Sequence, residues 1–289
     1  MGGGAVGRGC GYDPLERAFV VRGLARYRLR EGWCGGRACT LLVAVEGPEG
    51  AGVTLTVQLL ARMFRWLVGE PDDVVVVKFP SNRATGHVAR LVGLGLEGRG
   101  ELAGLSRALV FLADFAYNLH LLLEGAGRPP AVIVFDRYKY SWLGFQLLGL
   151  ERWVAEMLYD LLPPAHILVV VDREAGVGGE VLADKGDARL YLTAPLEFER
   201  MRQVFRRVED ALSEGMLEDC RGRNCSKSFW RRFEAFRGLV YPWRPPKIFR
   251  LDTGECVVPT DKCLDSMVGL FARMLEFLAS EGVVVGEGV

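Results

Sequence analysis

Two short stretches of this chain carry the residue types that phosphate chemistry needs. The first is Glu46-Gly47-Pro48-Glu49-Gly50-Ala51-Gly52-Val53-Thr54, set between an apolar run and an amphipathic one. Its Gly47, Gly52 and Thr54 fall on the pattern G-x-x-x-x-G-K-[ST], in which successive backbone N–H groups cradle phosphate oxygens, the lysine reaches the outer phosphates and the hydroxyl serves magnesium. Val53 stands where that lysine would be. The second stretch is Asp136-Arg137-Tyr138, at the end of another apolar run. A guanidinium there could grip a phosphate bidentately, and it could equally form a plain ion pair with its neighbour. The histidines at 87, 120 and 166 show no triad or metal spacing, and no chemistry is assigned to them.

Such residues act only if regular elements bring them together. Cys39–Val45 reads as a strand covered on both faces, because it is apolar except for Thr40. The glycine-rich turn follows, and then Thr54–Val68 has Leu55, Leu59, Met63 and Leu67 at helical spacing. Further strands are expected at Val74–Phe79, Ala131–Phe135, His166–Val171 and Ile248–Leu251, with helical patterns at 84–96, 101–124, 141–162, 195–212 and 264–278. Strands alternating with helices imply a five-stranded parallel sheet with helices on both faces, an α/β chain whose ligands lie at the carboxyl ends of the strands. Residues 1–38 read as an amino-terminal extension, 39–280 as the main domain, 213–241 as an insertion and 281–289 as a tail.

Composition sets the limits. The 289 residues are 50% apolar, enough for a large core, and carry 36 basic against 36 acidic residues. That balance argues against dedicated nucleic-acid binding, although the arginines at 17, 22, 26, 28, 30 and 37 leave a local basic contact as a third idea. No apolar run is long enough to span a bilayer and no secretory h-region opens the chain, so it reads as soluble and cytoplasmic. The seven cysteines lack zinc-knuckle spacing and are expected to be thiols, with disulfides admissible in a hyperthermophile.

Taken in order, the blocks resemble the thymidylate kinases, a family of P-loop nucleoside monophosphate kinases. The family's E-G-x-D-G-x-G-K-T matches residues 46–54 except mainly at Glu49 and Val53. Phe79-Pro80-Ser81-Asn82-Arg83-Ala84-Thr85-Gly86 is similar to its Phe-Pro turn, and Arg107-Ala108-Leu109-Val110-Phe111-Leu112-Ala113-Asp114 to its R-A-L-L-F-A-A-D-R helix. Asp136-Arg137-Tyr138, Ser141 and Gly144-Phe145-Gln146 follow D-R-Y-x-x-S-x-x-A-[YF]-Q, and Leu196-Glu197-Phe198 with Met201-Arg202 looks like the helix after the mobile lid. Each match is short, and their shared order carries the resemblance.

The resemblance implies a three-layer P-loop fold with a lid near 173–190, and phosphoryl transfer from ATP to dTMP with magnesium. It implies that Gly47, Gly50, Ala51, Gly52, Val53 and Thr54 hold the ATP phosphates. Arg137, Asp136, Glu49 and Arg189 are the expected catalytic group, with Thr54 and Asp136 at the metal. Phe79, Arg83, Phe111, Ser141 and Gln146 are expected around the nucleoside monophosphate, with Phe111 stacked on the base. It also allows a homodimer. Two departures keep other readings open. Val53 removes a cation that Arg173, Lys185 or Arg189 could replace, since relatives with Gly at the Gly50 position use a lid arginine. Phe115 replaces the arginine expected after Asp114, which puts base selectivity in question. The alternatives are a catalytically impaired nucleotide-binding protein of the same fold and a kinase for another nucleoside monophosphate.

Overall fold

A strand covered on both faces must be apolar at consecutive positions, and alternate residues then serve different layers. A computed structural model of the protein describes residues 14–30, 33, 39–48, 50–95, 101–123, 128–141, 162–173, 195–213, 246–254 and 261–286. Its elements, in chain order, begin with α1 (Pro14–Val21), β1 (Tyr27–Leu29), β2 (Leu41–Glu46), α2 (Val53–Val68), β3 (Val74–Lys78), α3 (Ala84–Gly95) and α4 (Glu101–Leu123). They continue with β4 (Val132–Asp136), β5 (Ile167–Asp172), α5 (Pro195–Ser213), β6 (Lys247–Asp252), α6 (Asp261–Ser280) and β7 (Val284–Gly286). Strands β3-β4-β2-β5-β6, in that order, form a parallel sheet. This is the expected α/β architecture. Apart from Arg173 and Ser213, the expected lid and insertion, and most of the helix expected over 141–162, lie outside the described residues.

The two-residue period of the strands divides the core. Leu41, Val43 and Val45 of β2, Val132 and Val134 of β4, and Ile167, Val169 and Val171 of β5 join α2 and α6 in one cluster. Leu42 and Ala44, Ile133 and Phe135, and Leu168 and Val170 face the other way and meet Phe115 and Leu119 of α4 and Phe205 and Val208 of α5. Each fully buried aliphatic or aromatic side chain contributes roughly 1.5–3 kcal/mol, so both layers are needed to hold the sheet. The same alternation sets the direction of the polar residues that end the strands. Asp136 continues the face of Val132 and Val134 toward α2, whereas Glu46 and Asp172 continue the opposite face.

The segment read as an extension is tied to the other end of the chain. Leu15 of α1 is buried in the core cluster that includes α6. Strand β1 pairs antiparallel with β7, matching Tyr27 with Gly286 and Leu29 with Val284. Arg22 forms an ion pair with Asp265 at 2.9 Å. Cys39, at the foot of β2, and Cys263, in α6, are each disulfide-bonded, where free thiols were expected.

Candidate active site

The phosphate loop leaves the carboxyl end of β2 and runs directly into α2, which delivers the first-turn N–H groups and the positive end of a helix to one point. Two glycines are required by geometry. A Cβ on Gly47 would run into the backbone carbonyl of Val171 on β5, and Gly52 has a φ of 94°, in the left-handed region that favours glycine. Val53 is 5% exposed and belongs to the hydrophobic core beneath α2. An apolar side chain therefore occupies the position from which a lysine would reach the phosphates.

Strand β4 brings the second stretch beside the first. Its last residue, Asp136, faces α2 and accepts a hydrogen bond from the Thr54 hydroxyl at 2.9 Å, while Lys78 on β3 lies 3.5 Å from the same carboxylate oxygen. A hydroxyl and a carboxylate are hard oxygen donors of the kind magnesium takes, and that ion commonly uses few protein ligands because waters and phosphates supply the rest. Among the described residues no cluster of three His, Cys, Asp or Glu side chains could hold a metal by itself. The donor set at Thr54 and Asp136 thus fits magnesium brought in with a nucleotide.

Arg137 follows with a φ of 70°, the one non-glycine residue with positive φ among those described. Holding an arginine in this region costs on the order of 1 kcal/mol, and the turn aims the side chain back over the loop. Its Nη1 donates to the Gly47 carbonyl at 2.8 Å and to Ser141 Oγ at 3.2 Å. Ser141 in turn donates to Glu46 Oε2, and the Tyr138 N–H donates to Glu46 Oε1 at 2.7 Å. Burial pushes the Glu46 carboxyl up to about 7, against the opposing pull of the Ser141 hydrogen bond, the Arg137 charge and the Tyr138 N–H. Glu46 opens the first matched block, yet its type alone gave it no task.

A further cluster shapes the approach to Arg137. Buried Asp114 of α4 accepts from the Ser81 N–H at 2.7 Å, the Ser81 hydroxyl at 2.6 Å, the Thr85 hydroxyl at 2.6 Å and Asn118 Nδ2 at 3.0 Å. It fixes the Phe79–Pro80 turn, whose peptide bond is cis, onto α4. Phe79 is buried, with its ring 3.8 Å from that of Phe115, and Phe115 meets Tyr138 edge-on at 5.5 Å. Phe115 thus fills aromatic core. Phe111 is half-buried at the edge of the same cluster and Arg83 is exposed. Glu49, Gln146, Lys185 and Arg189 lie outside the described residues.

The other neighbour of β2 closes the loop from behind. Asp172, the last residue of β5, accepts from Arg202 on α5 through Nε at 2.6 Å and Nη2 at 3.0 Å. Burial would raise its carboxyl, but the Arg202 hydrogen bond, the Arg173 N–H and the charges of Arg202 and Arg206 hold it below the usual range. Arg173 reaches the loop itself, with Nη1 donating to the Gly50 carbonyl at 3.2 Å. The Thr253 hydroxyl, after β6, donates to the Ala51 carbonyl. Of these, Arg173 had been read as one of three lid cations, while Asp172 and Thr253 gave no signal beyond their places at strand ends.

The family model described as thymidylate kinase matches residues 45–214. The chain belongs to the thymidylate kinase family. A Thermococcus gammatolerans protein named "Probable thymidylate kinase" is 34% identical over 139 residues, 46% of this chain and 65% of that one. A "Probable thymidylate kinase" of Thermococcus onnurineus is also 34% identical, over 137 residues. The chain spans 65% of the length of each of these two relatives. The thymidylate kinase of Clavibacter sepedonicus is 28% identical over 187 residues, 61% of this chain and 85% of that one. Among solved structures, thymidylate kinase from Ehrlichia chaffeensis has a TM-score of 0.50 at 14% identity, covering 82% of this chain and 99% of that one. The Candida albicans enzyme has a TM-score of 0.52 at 13% identity, covering 86% and 95%. These structural likenesses speak for the thymidylate kinase fold.

Proposed function

We propose that the protein transfers the γ-phosphoryl group of ATP to dTMP, giving ADP and dTDP, in the cytoplasm. The observation that carries this reading is the meeting of the phosphate loop with the end of β4, where Thr54 and Asp136 lie 2.9 Å apart and Arg137 arches over Gly47. A phosphate oxygen of the acceptor attacks the γ-phosphorus as the bond to the bridging oxygen breaks, so the protein's work is positioning and charge neutralisation. Magnesium, when bound with the nucleotide, neutralises charge on the phosphate oxygens, and Thr54 and Asp136 are the residues that would hold it. Arg137 holds the acceptor phosphate, and Gly50 and Gly52 present backbone N–H groups to the donor, while the Ala51 N–H donates to the Pro48 carbonyl at 3.2 Å and shapes the loop. Glu49 is assigned to the acceptor ribose, Phe111, Ser141 and Gln146 to the base, Phe79 and Arg83 to the acceptor side, and Arg189 to the lid.

The test is ADP formation from ATP with dTMP, dUMP, dGMP or dCMP and magnesium. Turnover fastest with dTMP is expected, and folded protein that turns over none of the four would sink the proposal. The same assay separates the alternative, nucleotide binding without turnover, to which the change to Val53 points. A homodimer also suits the surface. Val88 and Leu91 of α3 and Leu102, Leu109 and Tyr117 of α4 are exposed apolar side chains. Sedimentation should show a dimer that Leu109→Glu weakens.

A further inference from the structure

Arg137 needs an unusual backbone to reach the phosphate loop, and β2 supplies the restraints. Its φ of 70° is costly, and a residue persists in that region only when its surroundings over-determine it. Two consecutive residues of β2 do so. The Arg137 N–H donates to the Val45 carbonyl at 3.1 Å, and the Tyr138 N–H donates to Glu46 Oε1 at 2.7 Å. Tyr138 is fully buried, so its N–H requires an acceptor, and where the chain leaves β2 for the loop that acceptor is a side chain.

The second carboxyl oxygen of Glu46 restrains the far end of the arginine. The Ser141 hydroxyl donates to Oε2, and its oxygen accepts from Arg137 Nη1 at 3.2 Å, while the same Nη1 donates to the Gly47 carbonyl at 2.8 Å. One fully buried carboxyl thus holds both the turn under Arg137 and the hydroxyl beside its guanidinium. A fully ionised carboxylate there would offset the charge that a phosphate needs. Burial pushes the Glu46 carboxyl up to about 7, which limits that offset. We propose that Glu46 is the positioning residue of the acceptor-phosphate site, acting through Tyr138 and Ser141 to aim Arg137. This rests on the reading that Arg137 takes the acceptor phosphate, and the test follows that contact separately from turnover.

Calorimetric affinities for dTMP and for thymidine, whose ratio isolates the phosphate contact, are to be compared in full-length wild type, Glu46→Met and Glu46→Gln. Inorganic tripolyphosphate with magnesium reports the donor side of the same proteins. Glutamine keeps an oxygen for the Tyr138 N–H and an amide donor for Ser141 Oγ, which still accepts from Arg137, whereas methionine keeps neither. Glu46→Met is expected to lower the dTMP-to-thymidine ratio about tenfold, the scale of a lost hydrogen bond to a charged group, with tripolyphosphate affinity within about twofold of wild type. Glu46→Gln should bring the ratio back to within about threefold of wild type, because the chain through Ser141 is kept. An unchanged ratio in Glu46→Met, or an equal loss in Glu46→Gln, overturns the proposal. So does a parallel loss of thymidine and tripolyphosphate affinity, which marks a structural role only. If Glu46→Met does not fold, Ser141→Ala decides by the same ratio: a fall of about threefold or more supports the proposal, and a smaller one overturns it. Turnover of dTMP with an unchanged ratio in the variant sinks this proposal alone. A ratio that falls as expected, in a protein whose wild type turns over no monophosphate, sinks the kinase reading alone.

Discussion

The ends of β4 and β5 flank the phosphate loop with the same two residue types, and they differ in what each aspartate faces. Asp136 lies in phase with Val132 and Val134, so it meets α2 and the Thr54 hydroxyl. Asp172 lies in phase with Leu168 and Val170, so it meets α5 and is occupied by Arg202. One carboxylate thereby faces the phosphate loop and the other anchors α5. The arginines differ correspondingly, since Arg137 sits half-buried on a left-handed turn beside Glu46 while Arg173 is buried between the loop and β6. A repeated dipeptide acquires two tasks from a single change of strand phase.

The largest effect should come from the β4 side. Arg137→Met is expected to lower kcat/KM for the acceptor by roughly 10³-fold, the scale of a phosphate-facing arginine in phosphoryl transfer. Tripolyphosphate affinity should change little, because that probe reads the donor side. Steady-state kinetics with dTMP varied, alongside calorimetry, measures both, and equal losses on the two sides would erase the distinction between the strand ends.

Next in size is a pH effect confined to the β4 side. Glu46, at about 7 against an ordinary 4.5, holds its proton in the folded state at pH values where the unfolded chain has lost it. Stability from this group therefore falls as pH rises from about 4.5 to about 7, by about 3 kcal/mol, and levels off above. Glu46→Gln should remove that slope, so urea unfolding at pH 5 and pH 8 ought to show the variant gaining on wild type at the higher pH. Asp172, with its carboxyl held below the usual range, contributes with the opposite sign. A third variant, Asp114→Ala, leaves buried donors on Ser81 and Asn118 without their acceptor and should cost about 2 kcal/mol. It should raise KM for the acceptor and spare tripolyphosphate binding.

Much of this frame was legible before any coordinates. Strands buried on both faces read as near-continuous apolar runs, so the five parallel strands were placed to within two residues, and Thr54–Val68 was recognisable from its apolar spacing. What escaped depends on contacts between distant residues. Strands of three residues such as β1 and β7 have too little pattern to be read, and their pairing joins opposite ends of the chain. That Cys39 and Cys263 are disulfide-bonded is likewise a fact of packing. In the site, Asp136, Arg137 and Thr54 stood out because their types match a chemical task. Glu46 did not, and Arg173 stood out only as one of three lid cations, because burial and register give these two their places. The Asp-Arg repeat was visible in the sequence, but only the strand order places both copies beside β2.

The smallest effect tests whether the β5 end is truly an anchor. Arg202 and Asp172 are partly solvent-screened, with side chains 17% and 34% exposed, so Arg202→Met should cost only about 1 kcal/mol at neutral pH. The sign with pH is fixed by Asp172, whose carboxyl is held below its ordinary 3.8. Its contribution is present above that value and is lost as pH falls through the lower folded-state value, so wild type and variant should converge in acid. Denaturant unfolding at pH 6 and below pH 3.8 measures this. If Asp172 anchors Arg173, the same variant should also weaken tripolyphosphate binding a few-fold while leaving KM for dTMP unchanged. A change in the acceptor KM instead would mean that the two strand ends act as one unit.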